Sequence, residues 1–387
     1  MADGSAGSVL RAVLELGHAP RSVIARHAAI SPATLTMQSR ALIAAGLLVE
    51  LPDTTAAGIG RPYSPLALDT DGNVVVGVHI AAEHTTVAVV DIAGTVVRSR
   101  RLPHPSADPG AILASAGDQV RRIRDECGAR RILGMGVATG GWVDTEAGTV
   151  VHHSFLGWRD VPVREVLAAA TGLPAVLDNH TRALMYAEQL YGTTRAAPSS
   201  IMLFVGNVID VAFTVHGRVH YGPRSAAGSL ARWLGGSPAG PLAPAELERL
   251  ADHALLRAAR ERSPGRFASF PDLLDHAAEP LVQDLFRERA VILGGVLAAL
   301  IDLLDPAAVV VSDRAYARVP GVREAYLDTV GHQAGTGIEP DHLITASSFQ
   351  GRVLETAAAA VALQRLFDRP LAPFAPDPRD AFDSDLV

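Results

Sequence analysis

Six side chains between residues 31 and 61 are of kinds that read DNA: Ser31, Thr34, Thr36, Gln38, Arg40 and Arg61. The first five are crowded into Ser31-Pro32-Ala33-Thr34-Leu35-Thr36-Met37-Gln38-Ser39-Arg40. Hydroxyl, amide and guanidinium groups are those that hydrogen-bond base edges in a major groove. Leu35, Leu42 and Ile43 recur at helical spacing, which leaves the polar set on the opposite face with Gln38 at its border. Arg61 sits in Gly58-Ile59-Gly60-Arg61-Pro62, a glycine-flanked arginine on a stiff Arg-Pro step that suits insertion into a minor groove. The alternative is a small helical appendage that only stabilises its neighbour.

The surrounding residues are those needed to position such a reader. Ser31-Pro32 is a helix start, because serine accepts from an orphan amide and proline fits the first turn. Gly46 is placed to end that helix. Upstream, Val23 and Ile24 mark a short helix, and Ala28-Ala29-Ile30 the tight turn between the two. Residues 5–17 form a first helix with an apolar stripe of Val9, Leu10, Val13 and Leu14, and Leu66-Ala67-Leu68 closes a wing. The spacing predicts a winged helix-turn-helix over residues 1–70. Its five arginines are matched by five carboxylates, so one neutral copy would hold phosphates weakly. A homodimer or homotetramer on double-stranded DNA is expected.

Composition excludes several chemistries. The chain has no lysine, so a Walker-type phosphate loop is impossible. The single cysteine, Cys127, rules out an internal disulfide and a cysteine-based zinc cluster, and suits a reducing cytoplasm. No stretch resembles a signal peptide, and the longest apolar run, residues 291–304, is too short to span a membrane. His152, His153 and Asp178 raise the question of a metal, although adjacent histidines in a loop are commonly solvated. No metal and no cofactor is expected. With a net charge of −7, DNA contact must be local to one module.

After a turn-rich joint at residues 69–72 the pattern changes. Strands over 74–80, 86–92 and 95–101 form a meander, followed by a helix, a strand over 132–138, and the loop Thr139-Gly140-Gly141-Trp142-Val143-Asp144. The theme recurs with strands over 200–205, 211–215 and 218–221, then helices over 243–264 and 280–304 and a buried strand over 307–312. The fold class expected is α/β: the winged module, a first lobe over 71–185, a second over 186–370 whose last helix packs back on the first, and a loose tail over 371–387. Glycine-rich turns at strand ends would face an interlobe cleft.

At this point the residues resemble a known family. The winged module with its Gly-Arg-Pro, then Gly136-Val137-Ala138-Thr139-Gly140-Gly141-Trp142-Val143-Asp144, Phe155-Leu156-Gly157-Trp158-Arg159-Asp160, Gly172-Leu173-Pro174-Ala175-Val176-Leu177-Asp178-Asn179-His180 and residues 302–311 together look like the ROK family of repressors and sugar kinases. That resemblance implies a two-lobed, actin-like (ribonuclease-H-like) ATPase fold. It also exposes departures. The family's Gly-Val-Asp-Ile-Gly-Gly-Thr loop is here Gly77-Val78-His79-Ile80-Ala81-Ala82-Glu83, and its second phosphate loop is Gly206-Asn207-Val208-Ile209-Asp210. The glycine pair that receives adenosine is Ser312-Asp313-Arg314, and the general-base aspartate after Asn179 is His180. The zinc cluster is missing, and Ser229 and Arg232 replace a glutamate and a histidine. By resemblance, Gly140, Gly141, Asn179, His180, Ser229 and Arg232 are the ligand-site candidates, with no catalytic residue. Arg232 hints at an anionic effector, unless it pairs with a nearby carboxylate. The expected function is a cytoplasmic, sugar-responsive transcriptional repressor without kinase activity. The alternatives are a residual sugar kinase with a DNA-binding head, or a regulator that has lost its effector.

Overall fold

The computed structural model describes residues 2–52, 64–230, 249–335, 337–349 and 351–374. The chain packs as two compact units, the first through residue 139 with 143–178 and from 354 onward, the second over 140–142 and 179–353. The N-terminal module belongs to the first unit. It contains α1 (Ala2–Leu16), β1 (His18–Ala19), α2 (Arg21–His27), α3 (Pro32–Ala44), β2 (Leu48–Glu50) and β3 (Leu66–Leu68). The three strands pair in the order β1-β3-β2. Ala29, at φ 52°, makes the tight turn between α2 and α3.

α3 starts and stops for local reasons. Ser31 caps it by accepting from the Thr34 amide at 3.1 Å. At the other end Gly46 takes φ 70°, its amide donates to Ile43 O and the Leu47 amide donates to Leu42 O, both at 2.9 Å. That crossed pair satisfies two orphan carbonyls, and the left-handed residue it needs is cheap only for glycine. Two further bonds tie this end to the body: Asn73 Nδ2 donates to Gly46 O at 2.6 Å, and Arg131 Nη2 donates to Ala45 O at 2.8 Å. Arg131 also donates to Asn73 Oδ1, so the two anchors brace one another.

The rest of the first unit is a five-stranded sheet, ordered β11-β7-β4-β5-β6. Its strands are β4 (Asn73–Ile80), β5 (His84–Asp91), β6 (Val96–Pro103), β7 (Arg131–Thr139) and β11 (Ala175–Asn179). One face is covered by α4 (Pro109–Glu126) and α5 (Val163–Thr171), whose Ile112, Leu113, Val120 and Leu167 join Val76, Val78, Val87 and Val137 in one core. The last helix, α12 (Val353–Asp368), lies close against the same sheet. A Cβ on Gly77 would come within 2.7 Å of Ala359 N, and one on Gly136 would strike Ala358 O. Only glycine allows that helix to approach so near. Residues 142–161, expected as loop up to 144, also form short strands β8 (Trp142–Asp144), β9 (Thr149–His153) and β10 (Trp158–Val161).

The second unit repeats the plan. Its sheet is ordered β14-β13-β12-β15-β16, from β12 (Ser200–Val205), β13 (Ile209–Val215), β14 (Arg218–Val219), β15 (Ala308–Asp313) and β16 (Ile344–Ala346). Both sheets are thus an antiparallel meander extended by parallel strands. The helices are α6 (His180–Tyr191), α7 (Asp252–Arg262), α8 (Phe270–Asp275), α9 (Pro280–Leu304), α10 (Val322–Gln333) and α11 (Pro340–Leu343). The lobe boundary expected at 185/186 falls inside α6, and the packing boundary is Asp178/Asn179, because Asn179 caps that helix. Of the helix expected over 243–264, residues 252–262 are helical, 243–248 lie outside the described residues, and the strand over 218–221 is only two residues long.

One buried ion cluster locks this unit. Arg289 of α9 is 1% exposed. It donates to Asp252 Oδ1 at 2.8 Å and Leu250 O at 3.3 Å from Nη1, and to Asp313 Oδ1 at 2.7 Å from Nη2. Tyr326 and the Ala315 amide complete Asp313 at 3.1 and 2.8 Å, and Arg314 adds a bond to Asp252 at 2.6 Å. Removing one member leaves an uncompensated buried charge. Arg289→Met is therefore expected to lower stability by about 3–5 kcal/mol, measured by urea unfolding, with part of the loss recovered when Asp313→Asn is added.

Candidate functional site

α3 presents part of the expected set. Thr36, Met37 and Arg40 are exposed, Met37 by 61%. Among the described residues Arg40 makes no hydrogen bond or ion pair, which leaves its guanidinium available. Ser31 and Thr34 are engaged with each other through their hydroxyls at 2.8 Å, and Thr36 Oγ1 donates back to Pro32 O at 2.9 Å. Gln38 is a correction. It is only 4% exposed and its Nε2 donates to Ser5 Oγ at 3.3 Å, because the border of α3 is covered by α1. A buried amide satisfied by its own protein cannot reach a base edge. Arg61 lies outside the described residues.

In the second unit, the site expected to hold a ligand gathers around the N-terminus of α6. Asn179 is its N-cap: Oδ1 accepts from the Thr181 amide at 2.8 Å and the Arg182 amide at 3.4 Å. Its Nδ2 donates to Gly141 O at 2.9 Å, which holds the Gly140-Gly141 turn in place. His180 is 6% exposed and lies beside the Phe204 ring, centroids 4.3 Å apart. Ser229 is exposed and its backbone pairs with Asp210. Arg232 lies outside the described residues.

Asp210 was not among the expected site residues, yet it stands at the centre. Its Oδ2 is 3.5 Å from Asn179 Nδ2 and 3.7 Å from His180 Nε2, and its side chain is 13% exposed. Burial pushes its carboxyl up to about 6, against the opposing Asn179 bond and the Arg182 charge. The nearby cation, Arg182, donates to Ser225 O at 3.0 Å and lies over the Tyr221 ring at 4.8 Å. The chain spacing from Asn179 to Asp210 hides this proximity. Only the pairing of β12 with β13, which sets Phe204 opposite Asp210, brings it about.

The histidines near Asp178 behave otherwise than expected. His152 and His153 lie in β9, where His152 is half-buried and His153 buried. His153 is 2% exposed and its Nδ1 accepts from the Leu156 amide at 3.3 Å. Burial, then the His152 charge, lowers it to about 4. Asp178 accepts from Thr145 Oγ1 at 3.3 Å. Among the described residues no group of three or more His, Cys, Asp or Glu side chains is arranged to hold a metal ion. His79, buried in β4, is likewise pushed down to about 3, chiefly by burial. It is neutral at physiological pH.

The ROK family pattern matches residues 75–325. The chain belongs to the ROK family. It is 35% identical over 395 residues to Transcriptional regulator Rv0485 of Mycobacterium tuberculosis, covering 96% of this chain and 87% of that protein. It is 25% identical over 225 residues to the DNA-binding transcriptional repressor Mlc of Escherichia coli, covering 57% of this chain and 55% of the other. A solved ROK family transcriptional regulator, a homologue of the E. coli Mlc protein, superposes with a TM-score of 0.80 at 20% identity over 96% of this chain and 98% of its own. A Streptomyces griseus ROK glucokinase, solved with glucose and AMPPNP, gives 0.64 at 20% identity over 75% and 99%. The actin-like α/β fold expected from the resemblance is therefore the fold of this chain.

The position after Asn179, where the resemblance implied a general-base aspartate, carries His180. The carboxylate that approaches Asn179 and His180 is that of Asp210. Because the folded protein holds the Asp210 proton more tightly than an unfolded chain would, stability is lost as pH rises from about 4 to about 6. Above that range the full cost of the buried charge is present. Asp210→Asn is thus expected to stabilise the free protein at pH 7.5 by on the order of 2–3 kcal/mol and to have no such effect near pH 4. Thermal unfolding at the two pH values measures it.

Proposed function

We propose that this protein is a DNA-binding transcriptional regulator of the ROK type, acting as a repressor that a sugar or sugar derivative controls through the site at Asn179. The observation that carries the reading is the exposed Thr36-Met37-Arg40 face of α3, capped at both ends in a helix-turn-helix and joined to a ROK body. The relatives named as transcriptional regulators and repressors support it. The neutral charge of the reading module favours two or four copies on DNA, each copy adding phosphate contacts. No described helix is long and apolar enough to cross a membrane.

The body is read as lacking kinase activity. Three features support this: neutral His79 where the resemblance implies an aspartate in kinases, Asp210 in the segment that would have to receive phosphate, and the carboxylate of Asp313 where adenosine would be received. A carboxylate in a phosphate site repels its ligand, and a neutral imidazole supplies no hard anionic oxygen for Mg²⁺. With glucose, N-acetylglucosamine, mannose or xylose, ATP and Mg²⁺ are expected to give no phosphoryl transfer. Turnover in a coupled assay that vanishes in His180→Ala would establish the residual-kinase alternative instead.

Genomic footprinting identifies the operator, and labelled fragments of it then test the reader. Arg40→Ala is expected to weaken binding by roughly 1–3 kcal/mol. Gln38→Ala, which removes the bond to Ser5 and the buried packing of the side chain, is expected to lower the stability of the module without changing base preference. Equal operator affinity of parent and Arg40→Ala across a salt series would remove α3 as the reading element.

A further inference from the structure

Acidic side chains withdrawn from solvent in the second unit fall into two kinds. Glu188 of α6 is 0% exposed and accepts from the Thr193 amide at 3.0 Å, Ser347 Oγ at 2.9 Å, and the Ser348 amide and Oγ at 2.7 Å each. Asp313 is equally dressed, by Arg289, the Ala315 amide and Tyr326. Asp252 takes two arginines. Such carboxylates hold elements together. Asp210 is different. Among the described residues it receives a single long bond, 3.5 Å from Asn179, and the 3.7 Å approach of His180 is beyond hydrogen-bond range. No described backbone amide, hydroxyl or guanidinium completes it, although a carboxylate has room for about four donors. A largely buried carboxylate in this condition costs the free protein stability.

We infer that Asp210 is the ligand-reading carboxylate of this site, accepting hydrogen bonds from the hydroxyl or amino groups of a sugar that bears no negative charge. The inference rests on the reading of the Asn179 region as the effector site and gives that effector a chemical class. A hydroxyl or ammonium donor would complete the carboxylate, and a charge-assisted bond of this type is about twice as strong as a neutral one. A phosphate or carboxylate on the ligand would be placed against Asp210 and repelled. Among the described residues the charged and titratable groups facing Asp210 are His180 and Arg182 on α6. Of these residues, β12 brings the Phe204 ring and the 228–229 segment backbone and a serine, while Arg218 of β14 pairs with Val215 at the far end of β13. Arg182 is engaged with Ser225 O and the Tyr221 ring and does not reach the carboxylate as an ion pair.

The test uses the full chain and two variants, Asp210→Asn and Asp210→Ala. Thermal shift is recorded with glucose, N-acetylglucosamine, mannose, glucosamine, glucose 6-phosphate and gluconate, at pH 7.5 and pH 5. The expected result is that one of the uncharged or amino sugars stabilises the parent. Its affinity should fall about tenfold or more in both variants, the loss that follows removal of one charge-assisted bond. It should also weaken in the parent at pH 5, where the carboxylate is protonated, while the pH response disappears in Asp210→Asn. The ligand-free Asp210→Asn protein should melt no lower than the parent at pH 7.5. Preferential binding of glucose 6-phosphate or gluconate overturns the inference, as does unchanged sugar affinity in both variants, or stabilisation by no sugar in the panel. A ligand-free Asp210→Asn that melts well below the parent does so too, since Asp210 would then be a structural tie. Operator affinity of the ligand-free variants, expected to equal the parent's, separates this outcome from the regulator reading. A parent that binds sugar through Asp210 but no operator would retain the inference and lose the repressor.

Discussion

The carboxamide of Asn179 uses both of its ends, and the site in the second unit depends on that. Its oxygen closes the first turn of α6 and its nitrogen holds Gly141 O while approaching Asp210. A cap side chain has little freedom once its helix has formed, so the 140–142 turn and the start of β13 are registered to α6 through one group. Serine would cap the helix through its oxygen, but its single O–H cannot serve both the Gly141 carbonyl 38 positions away and Asp210. Aspartate would cap it and then face both a carbonyl and a carboxylate with nothing to donate. Among the capping residues only asparagine has the acceptor and the donors this geometry needs.

The treatment of charge in this unit follows from a chain whose every strong base is arginine. Arg289 binds Asp252, Asp313 and Leu250 O from two nitrogens of one planar fork. A lysine's ammonium is a compact point charge and could not span three acceptors lying in different directions with the same directionality. The cluster is an internal salt linkage beside the strand end that holds Asp313, and it fixes β15, α7 and α9 against one another. Asp210, by contrast, is left almost undressed. The two arrangements show how one fold can make one acid structural and keep another available.

What could be read in the sequence was what is local or periodic. The Ser-Pro start of α3, its glycine stop, the two meanders and the duplicated plan all follow from patterns a few residues long, and each is present in the fold. Gln38 failed because a residue at the border of a helical stripe is assigned by its neighbour, and that neighbour, Ser5, lies 33 positions earlier. Asp210 escaped notice because its partners Asn179 and His180 belong to another element, and only strand pairing unites them. The strands around His152 and His153 are only three to five residues long and are separated by turns at Gly148 and Gly157, so no run of alternating side chains was long enough to distinguish them from loop.

The bracing of α3 has a mechanical consequence. Asn73 and Arg131 grip the carbonyls of Gly46 and Ala45 from the starts of the adjacent strands β4 and β7, so the end of the helix is clamped to that sheet. Its 13 residues make an arm roughly 20 Å long. A tilt of about 5° at the clamped end carries the free end through about 2 Å. That displacement exceeds the tolerance of a hydrogen bond to a base edge. On the proposed reading of α3 as the groove-lying helix, repositioning it is therefore a motion of the whole first unit, and very small rotations of that unit would disengage it.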